Sequence, residues 1–461
     1  MGYNKAFVVN TSEVRGRLDP FYYKVEFLEM QKKLQKIDYG LLSSLSTRVL
    51  DGIHKTPKYA EKGLIFLQAN NINEGSIDFT KKLKYISSEW EEEVLRRYTP
   101  QAGDVLISKD GTIGISATVP EEFEDFSIFV SVMAIRPKQE VIIPEFLRIM
   151  ISSSIVQQQI LQSTKGAVIS HLLIGEAKKI KIPLPSKVIQ ENIIQIMDNA
   201  NRIKKENEKR AKELLASIDE YLLDKLDITL PKEEKIVSYE VNSSEVFGNR
   251  FDPKYYQGYF QKLAYSLNGG KYKVVKLNKL IDKIKTGTTP NNKLKPYSDK
   301  GIIFLRNTNL KSFDIDLKNV KYVKNNFSNN LVYSYKNEVI ICIAGTIGLS
   351  AVNTYDKVSI NQNVTSLVVE NKFINKDYLV CYLNSELSLK LLRRNCSVAT
   401  ILYLNNNNLK SLKIPLPPLA IQNEISSHIQ SLREEAKLLK KEAKEVLKSS
   451  KDEVERIIFG E

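Results

Sequence analysis

Lys181-Ile182-Pro183-Leu184-Pro185, with Ile189-Gln190 just beyond, introduces a run from Ser186 to Asp227 that contains neither proline nor glycine. The two prolines hold the backbone extended, and the uninterrupted run behind them favours one long helix. Apolar residues recur along it at spacings of three and four: Ile189, Ile193, Ile196, Ala200 and Ile203, then Leu214, Ile218 and Leu222. The same block returns 232 residues later as Lys413-Ile414-Pro415-Leu416-Pro417 with Ile421-Gln422. Behind it run Ile421, Ile425, Leu432, Ala436, Leu439, Ala443, Val446, Val454 and Ile457. Pro231 marks the end of the first run and Gly460 the end of the second. Roughly 40 residues at about 1.5 Å each predict rods on the order of 60 Å long.

The repetition extends outward from this block. Arg17-Leu18-Asp19-Pro20-Phe21-Tyr22-Tyr23 matches Arg250-Phe251-Asp252-Pro253-Lys254-Tyr255-Tyr256 at an offset of 233. Gly63–Leu67 matches Gly301–Leu305 at 238, and Gly111-Thr112-Ile113-Gly114 matches Gly345-Thr346-Ile347-Gly348 at 234. Four ordered matches at nearly one offset make the chain two copies of a domain-sized unit rather than a solenoid. Ahead of each long helix lies a mixed part. Its short apolar runs, such as Val105–Ser108, Val130–Ile135, Val339–Ile343 and Thr365–Val369, predict strands of about five residues. Helical stretches are expected at Pro144–Leu161 and Lys376–Arg394. Gly-Thr-Ile-Gly and the Asp-Pro strings read as tight turns.

A narrow apolar seam on a long helix needs a partner seam, and the other copy's helix is the nearest candidate. The expected pairing positions are Ile189, Ile193, Ile196, Ile203, Leu214 and Ile218 on the first helix. On the second they are Ile421, Ile425, Leu432, Leu439 and Val446. Asn207 falls in the first seam, where a polar residue can fix register. His428 aligns with Ile196 and reads as a packing or capping residue.

The 461 residues carry 68 Lys and Arg against 54 Asp and Glu, a formal charge of +14. Ordinary globular composition excludes a disordered chain, and the basic excess favours a polyanionic partner. No apolar run reaches the roughly 18–20 residues of a membrane span, and no secretory signal opens the chain, so a cytoplasmic location is expected. Three cysteines and three histidines fit no metal-ligand spacing. The phosphate cradles, nucleophile elbows and zinc motifs of common enzymes are absent, so neither cofactor nor metal is expected. Asp356 with Glu370-Asn371-Lys372 forms a loose D…ExK string. Its counterpart in the first copy, Ile135-Arg136-Pro137-Lys138, lacks the acid.

Taken together, the doubled Arg-x-Asp-Pro-x-Tyr-Tyr starts, the Thr56-Pro57 and Thr289-Pro290 segments, the two Gly-Thr-Ile-Gly turns and the two Ile-Pro-Leu-Pro blocks resemble the specificity (S) subunits of type I restriction–modification systems. The resemblance covers essentially the whole chain, in order and twice. It implies an α/β (α+β) fold with a pseudo-twofold internal repeat. Two β-rich target recognition domains are expected at 1–185 and 233–412. Two long antiparallel helices, 186–232 and 413–461, would pair as a coiled-coil spacer. The implied function is non-catalytic: each domain reads half of a bipartite, gapped DNA target. The implied partners are double-stranded DNA, two adenine methyltransferase (M) subunits and restriction (R) subunits, with no membrane.

Base reading calls for polar side chains on loops that enter a groove. Candidates in the first copy are Lys55, Lys58, Gln68, Asn70, Asn71, Lys109, Thr112, Lys165, Ser170 and His171. In the second they are Thr288, Thr289, Asn291, Asn292, Arg306, Asn307, Asn309, Thr346, Asn361, Gln362, Asn395 and Thr400. Phe129-Val130 stands opposite Asn361-Gln362, so the halves of the target should differ. Two other readings remain open here. One is the DNA-reading subunit of a type IIB-like restriction enzyme. The other is an autonomous metal-dependent nuclease using Asp356, Glu370 and Lys372.

Overall fold

In the computed structural model the residues described are 14, 20–164, 171–233, 238–246, 253–369, 372–396 and 402–461. They form two units, Met1–Glu208 with Lys440–Glu461, and Lys209–Leu439. Each unit therefore takes part of both long helices.

Among its described residues the first unit has the strands, in chain order, β1 (Tyr39–Leu41), β2 (Ser46–Asp51), β3 (Tyr59–Ala60), β4 (Leu64–Leu67), β5 (Ile72–Asn73), β6 (Ser76–Ile77), β7 (Lys84–Ile86), β8 (Val105–Ser108), β9 (Ser116–Thr118), β10 (Phe126–Ile128), β11 (Val132–Pro137) and β12 (Lys181–Pro183). One sheet runs β2-β11-β8-β9 and is antiparallel throughout. A second four-stranded sheet runs β10-β4-β7-β3, with β10 parallel to β4, and β1-β12 and β5-β6 form two-stranded ribbons. Strand periodicity explains why all four residues of β8 are buried although its sequence does not alternate. Val105 and Ile107 point to a core under the helices Pro144–Ser152 and Ser154–Ser163, with Phe146, Met150 and Ile155. Leu106 points the other way, to a core between the sheets with Ile65, Leu67, Phe126 and Ile128. On β4, Leu64 and Phe66 face outward onto a third cluster, closed by Trp90 and Val94 of the helix Ser88–Arg97. The layers are helix, sheet, sheet, helix.

The second unit repeats them. Val339 and Ile341 join the helix-side core, Ile340 and Cys342 the inter-sheet core, and Phe304 the outer cluster. Its sheets, in strands described by range, centre on Val339–Cys342 beside Val364–Val368 and on Ile302–Leu305 beside Lys357–Ile360. Where the first unit covers its outer cluster with a ten-residue helix, the second uses Asn325–Asn330, with Phe327 packed inward. The two helical stretches expected before the proline blocks each break in two at a serine, Ser153 and Ser385.

The Ile-Pro-Leu-Pro blocks do what their prolines suggest. Lys181–Pro183 pairs antiparallel with β1, and Lys413–Pro415 pairs with Val274–Lys276. Each then releases its long helix, Lys187–Leu226 and Leu419–Phe459. The second helix ends at Gly460 in a left-handed turn (φ +67°), and the first ends on Asp227 at φ +55°.

The seam does not follow all the positions expected of it. On the first helix the buried residues are Gln190, Ile193, Met197, Ala200, Ala211, Ile218, Leu222 and Leu226. Ile189 lies outside, 37% exposed, and Ile196, Ile203, Asn207 and Leu214 flank the seam half-buried. Ile193 and Ile218 are buried as expected, but one residue of offset turns a helical side chain by about 100°, so Gln190 and Met197 take the inward positions that Ile189 and Ile196 were expected to fill. On the second helix Gln422, Ile425, Ile429, Ala436, Ala443, Val454 and Ile458 are buried, while Ile421, Leu432, Leu439 and Val446 are half-buried.

Within the first unit Ile193 and Met197 share a core with Val454 and Ile458. Within the second, Ile218, Leu222 and Leu226 share one with Ile425 and Ile429. Arg210 meets Glu435 at 2.8 Å and Lys225 meets Glu424 at 2.5 Å, so the two helical segments of this unit run antiparallel. His428 lies outside the seam, its ring 4.1 Å from that of Tyr221. Among the described residues no helix is long and apolar enough to cross a membrane.

Candidate nucleic-acid interface

In each unit a single turn gathers the ends of several strands. In the first unit it is Phe129–Ser131. Phe129 N donates to Leu67 O at the end of β4, and Val130 N to Ile53 O just past β2. Ser131 O accepts from Lys109 N past β8, and Ser131 Oγ accepts from Ala69 N. His171 joins from the far side through a bridge to Asp110, with Nδ1 2.6 Å from Asp110 Oδ1.

The second unit builds the same hub from Asn361–Asn363. Asn361 N donates to Leu305 O, Thr288 N to Ile360 O, and Ile343 N to Asn363 O. Tyr403 bridges to Ala344 as His171 does to Asp110. Close approach of the chains explains a glycine at each entry. A Cβ on Gly52 would stand 1.9 Å from Ile128 O, and one on Gly287 would stand 2.2 Å from Ile360 O. The Gly-Thr-Ile-Gly turns sit beside the hubs, with Gly111, Gly114, Gly345 and Gly348 all at positive φ.

Several of the side chains expected to read DNA belong to these hubs or to the segments bonded to them, among them Gln68, His171, Thr288, Gln362 and Arg306. In the first unit Lys55, Lys58, Asn70, Thr112 and His171 are exposed, and Gln68 is half-buried. In the second, Thr288, Thr289, Asn291, Asn292, Thr346 and Gln362 are exposed, and Arg306 and Asn307 are half-buried. Thr289 Oγ1 donates to Gln362 Oε1, and Thr288 Oγ1 to Asn330 O at 2.9 Å. Asn291 caps its own short turn by accepting from Lys293 N. Asn395 is half-buried, and its carbonyl accepts from Asn408 Nδ2. Lys165, Ser170 and Thr400 lie outside the described residues, as does Glu370 of the acidic string. Asp356 stands in open solvent, 96% exposed.

Four expected readers are used internally instead. Asn71 is 1% exposed: its Oδ1 accepts from Gln68 N and its Nδ2 donates to Lys81 O at 2.9 Å. Asn309 repeats this, with Oδ1 accepting from Arg306 N and Nδ2 donating to Asp316 O. Both staple the loop whose neighbours are exposed. Asn361 is 7% exposed and its Oδ1 accepts from Asn363 N. Lys109 is buried, with Nζ 2.8 Å from Asp51 Oδ2.

Asp51 is the residue that sequence reasoning missed. Its side chain is 5% exposed, and it collects Lys109 on Oδ2, Arg97 Nη2 on Oδ1 at 2.7 Å, and His54 Nε2 at 3.2 Å. Burial alone would raise its pKa. The hydrogen bonds from Lys109 and Arg97, with the nearby charges of Lys109 and His54, outweigh burial and hold the carboxyl below its ordinary value. At the matching place in the second unit stand Thr286, bonded to Thr365 and Asn406, and Ile343. The two hubs share a backbone and differ in lettering.

Comparison with known proteins bears on both halves of the chain. Residues 48–217 and 270–449 each match the type I restriction modification DNA specificity domain. Over 157 residues the chain is 28% identical to the type I restriction enzyme EcoBI specificity subunit of Escherichia coli. That alignment covers 34% of this chain and 32% of the relative, so the chain spans about a third of the relative's length. A chain solved in work on complex assembly and conformational transition of the type I R-M system superposes with a TM-score of 0.54 at 14% identity, covering 91% of this chain and 97% of that one. This last likeness is one of fold.

Proposed function

The chain belongs to the type I restriction modification DNA specificity family, and from that premise we propose that it is the non-catalytic subunit that reads a bipartite, gapped DNA target. In this reading it directs adenine methyltransferase and restriction subunits to that target. The two halves of the target are read by the loop hubs around Phe129–Ser131 and Asn361–Asn363.

One observation carries the reading. Matching backbone hydrogen bonds recur in both units, while the side chains they present differ: Gln68 against Arg306, Val130 against Gln362, His171 against Tyr403. A repeated scaffold with altered lettering suits two unlike half-sites, since phosphate contacts position a reader and base-edge contacts distinguish sequences. The net charge of +14 favours the backbone-contact part of such binding.

Mapping of methylated adenines in cells that carry the locus with its neighbouring methyltransferase gene tests this. The expected result is a gapped motif with two dissimilar halves, lost on deletion of the gene for this chain. Absence of any gapped motif, with the methyltransferase active, would overturn it. Failure of the purified chain to associate with that methyltransferase would favour a free-standing DNA-binding protein.

A further inference from the structure

We propose that Arg97 reads a guanine in the half-site contacted by the first unit, with Asp51 as its positioning residue. The proposal rests on the DNA-reading function given above and names the side chain that supplies part of its specificity.

Arg97 closes the helix Ser88–Arg97 and reaches back to the end of β2 beside the hub. Its Nε donates to Asp51 O at 3.0 Å and its Nη2 to Asp51 Oδ1 at 2.7 Å. Those two bonds occupy one edge of the planar guanidinium. The end-on edge, formed by Nη1 and the outer N–H of Nη2, donates to no partner among the described residues, and the side chain is 46% exposed. A guanidinium held along one edge presents the other as a fixed two-donor fork, which matches guanine O6 and N7 in the major groove.

Asp51 can hold that geometry because its second oxygen is itself anchored. Lys109, 9% exposed, occupies Oδ2, so the carboxylate stays charged and cannot rotate away to solvent. A surface arginine that served only a phosphate would need no buried lysine behind its carboxylate. The second unit has Thr286 and Ile343 at the matching positions, so the device belongs to one half-site only. Arg97 was not among the residues the sequence marks out, because its partner lies 46 residues away.

The test uses the full chain with its methyltransferase partner and the methylated motif of the wild type. Arg97→Gln and Arg97→Lys are compared by methylome sequencing and by competition among duplexes varied at each position of both halves. The expected result is relaxation of one G·C position in one half, by about ten- to a hundredfold in discrimination. Arg97→Lys keeps the positive charge, so it should relax the same position while retaining the salt dependence of binding to unrelated duplex. Asp51→Asn should relax that position too, with the other half unchanged.

Wild-type preferences at every position in Arg97→Lys and Arg97→Gln would overturn the proposal while leaving the DNA-reading function intact. Uniform weakening across all sequences in Arg97→Gln, with Arg97→Lys unaffected, would also overturn it, as the mark of a phosphate contact. Absence of any gapped motif in the wild type removes the function and this inference together.

Discussion

Gln190 and Gln422, 232 residues apart, make the same three hydrogen bonds. Gln190 Oε1 accepts from Ile143 N at 2.9 Å, and its Nε2 donates to Val141 O and Pro185 O. Gln422 Oε1 accepts from Asn375 N at 2.8 Å, and its Nε2 donates to Phe373 O and Pro417 O. Every partner is displaced by the same 232 residues. Each glutamine locks the first turn of a long helix to the loop ahead of an earlier short helix, Pro144–Ser152 in one copy and Lys376–Asn384 in the other.

Replacing either glutamine by leucine leaves a buried amide and two carbonyls without partners. Each of Gln190→Leu and Gln422→Leu should cost about 1–3 kcal/mol, measured by urea unfolding. The two losses should be similar, because the environments are the same.

Ala211 and Ala443 are fully buried mid-way along the two long helices, where the seam is made of small residues. Ala443→Leu forces extra volume into a closed space and should destabilise by about 1–3 kcal/mol. Leu438→Ala, at a side chain 54% exposed on the same helix, should stay within about 0.5 kcal/mol. Equal effects of the two substitutions on unfolding midpoints would contradict the seam described here.

Asp51 links stability to acid. Its carboxyl titrates below its ordinary value near 3.8 in the folded protein. A lowered carboxyl contributes stability that is complete above the unfolded value and disappears as pH falls through the folded one. The stability difference between wild type and Asp51→Asn should therefore be flat at and above about pH 5 and shrink below pH 4. Urea titrations at a series of pH values measure it, and a difference that grows in acid would refute the assignment.

Spacing offers a test of the long helices. Inserting seven residues into each, between Glu208 and Lys209 and between Leu439 and Lys440, preserves the heptad phase. The helices lengthen by about 10 Å, so the gap in the methylated motif should widen by about three base pairs. An unchanged gap in the methylome would show that these helices do not set it.

What the sequence determined by itself was local or repeated. The uninterrupted helices follow from runs without proline or glycine. The extended entries follow from Pro183-Leu184-Pro185 and Pro415-Leu416-Pro417, and the left-handed turns from Gly111, Gly114, Gly345 and Gly348. These are properties of a few neighbouring residues, and a duplication shows them twice. The layered sheets were visible only as short apolar runs, because strands with both faces buried lose their alternation.

Only the tertiary structure decided which polar residues face solvent. Asn70 and Asn71 are adjacent and alike in sequence, yet one is exposed and the other staples a loop to Lys81. Lys109 looked like a free cation until the fold set Asp51 beside it, 58 residues away in the chain, with Arg97 on the other oxygen. The seam likewise settled on Gln190 rather than Ile189, since the glutamine meets Ile143, Val141 and Pro185 only after the domain has closed. Helical periodicity acts over four residues and can be read directly. A buried charge is placed by partners that chain order keeps far apart and folding alone brings into reach.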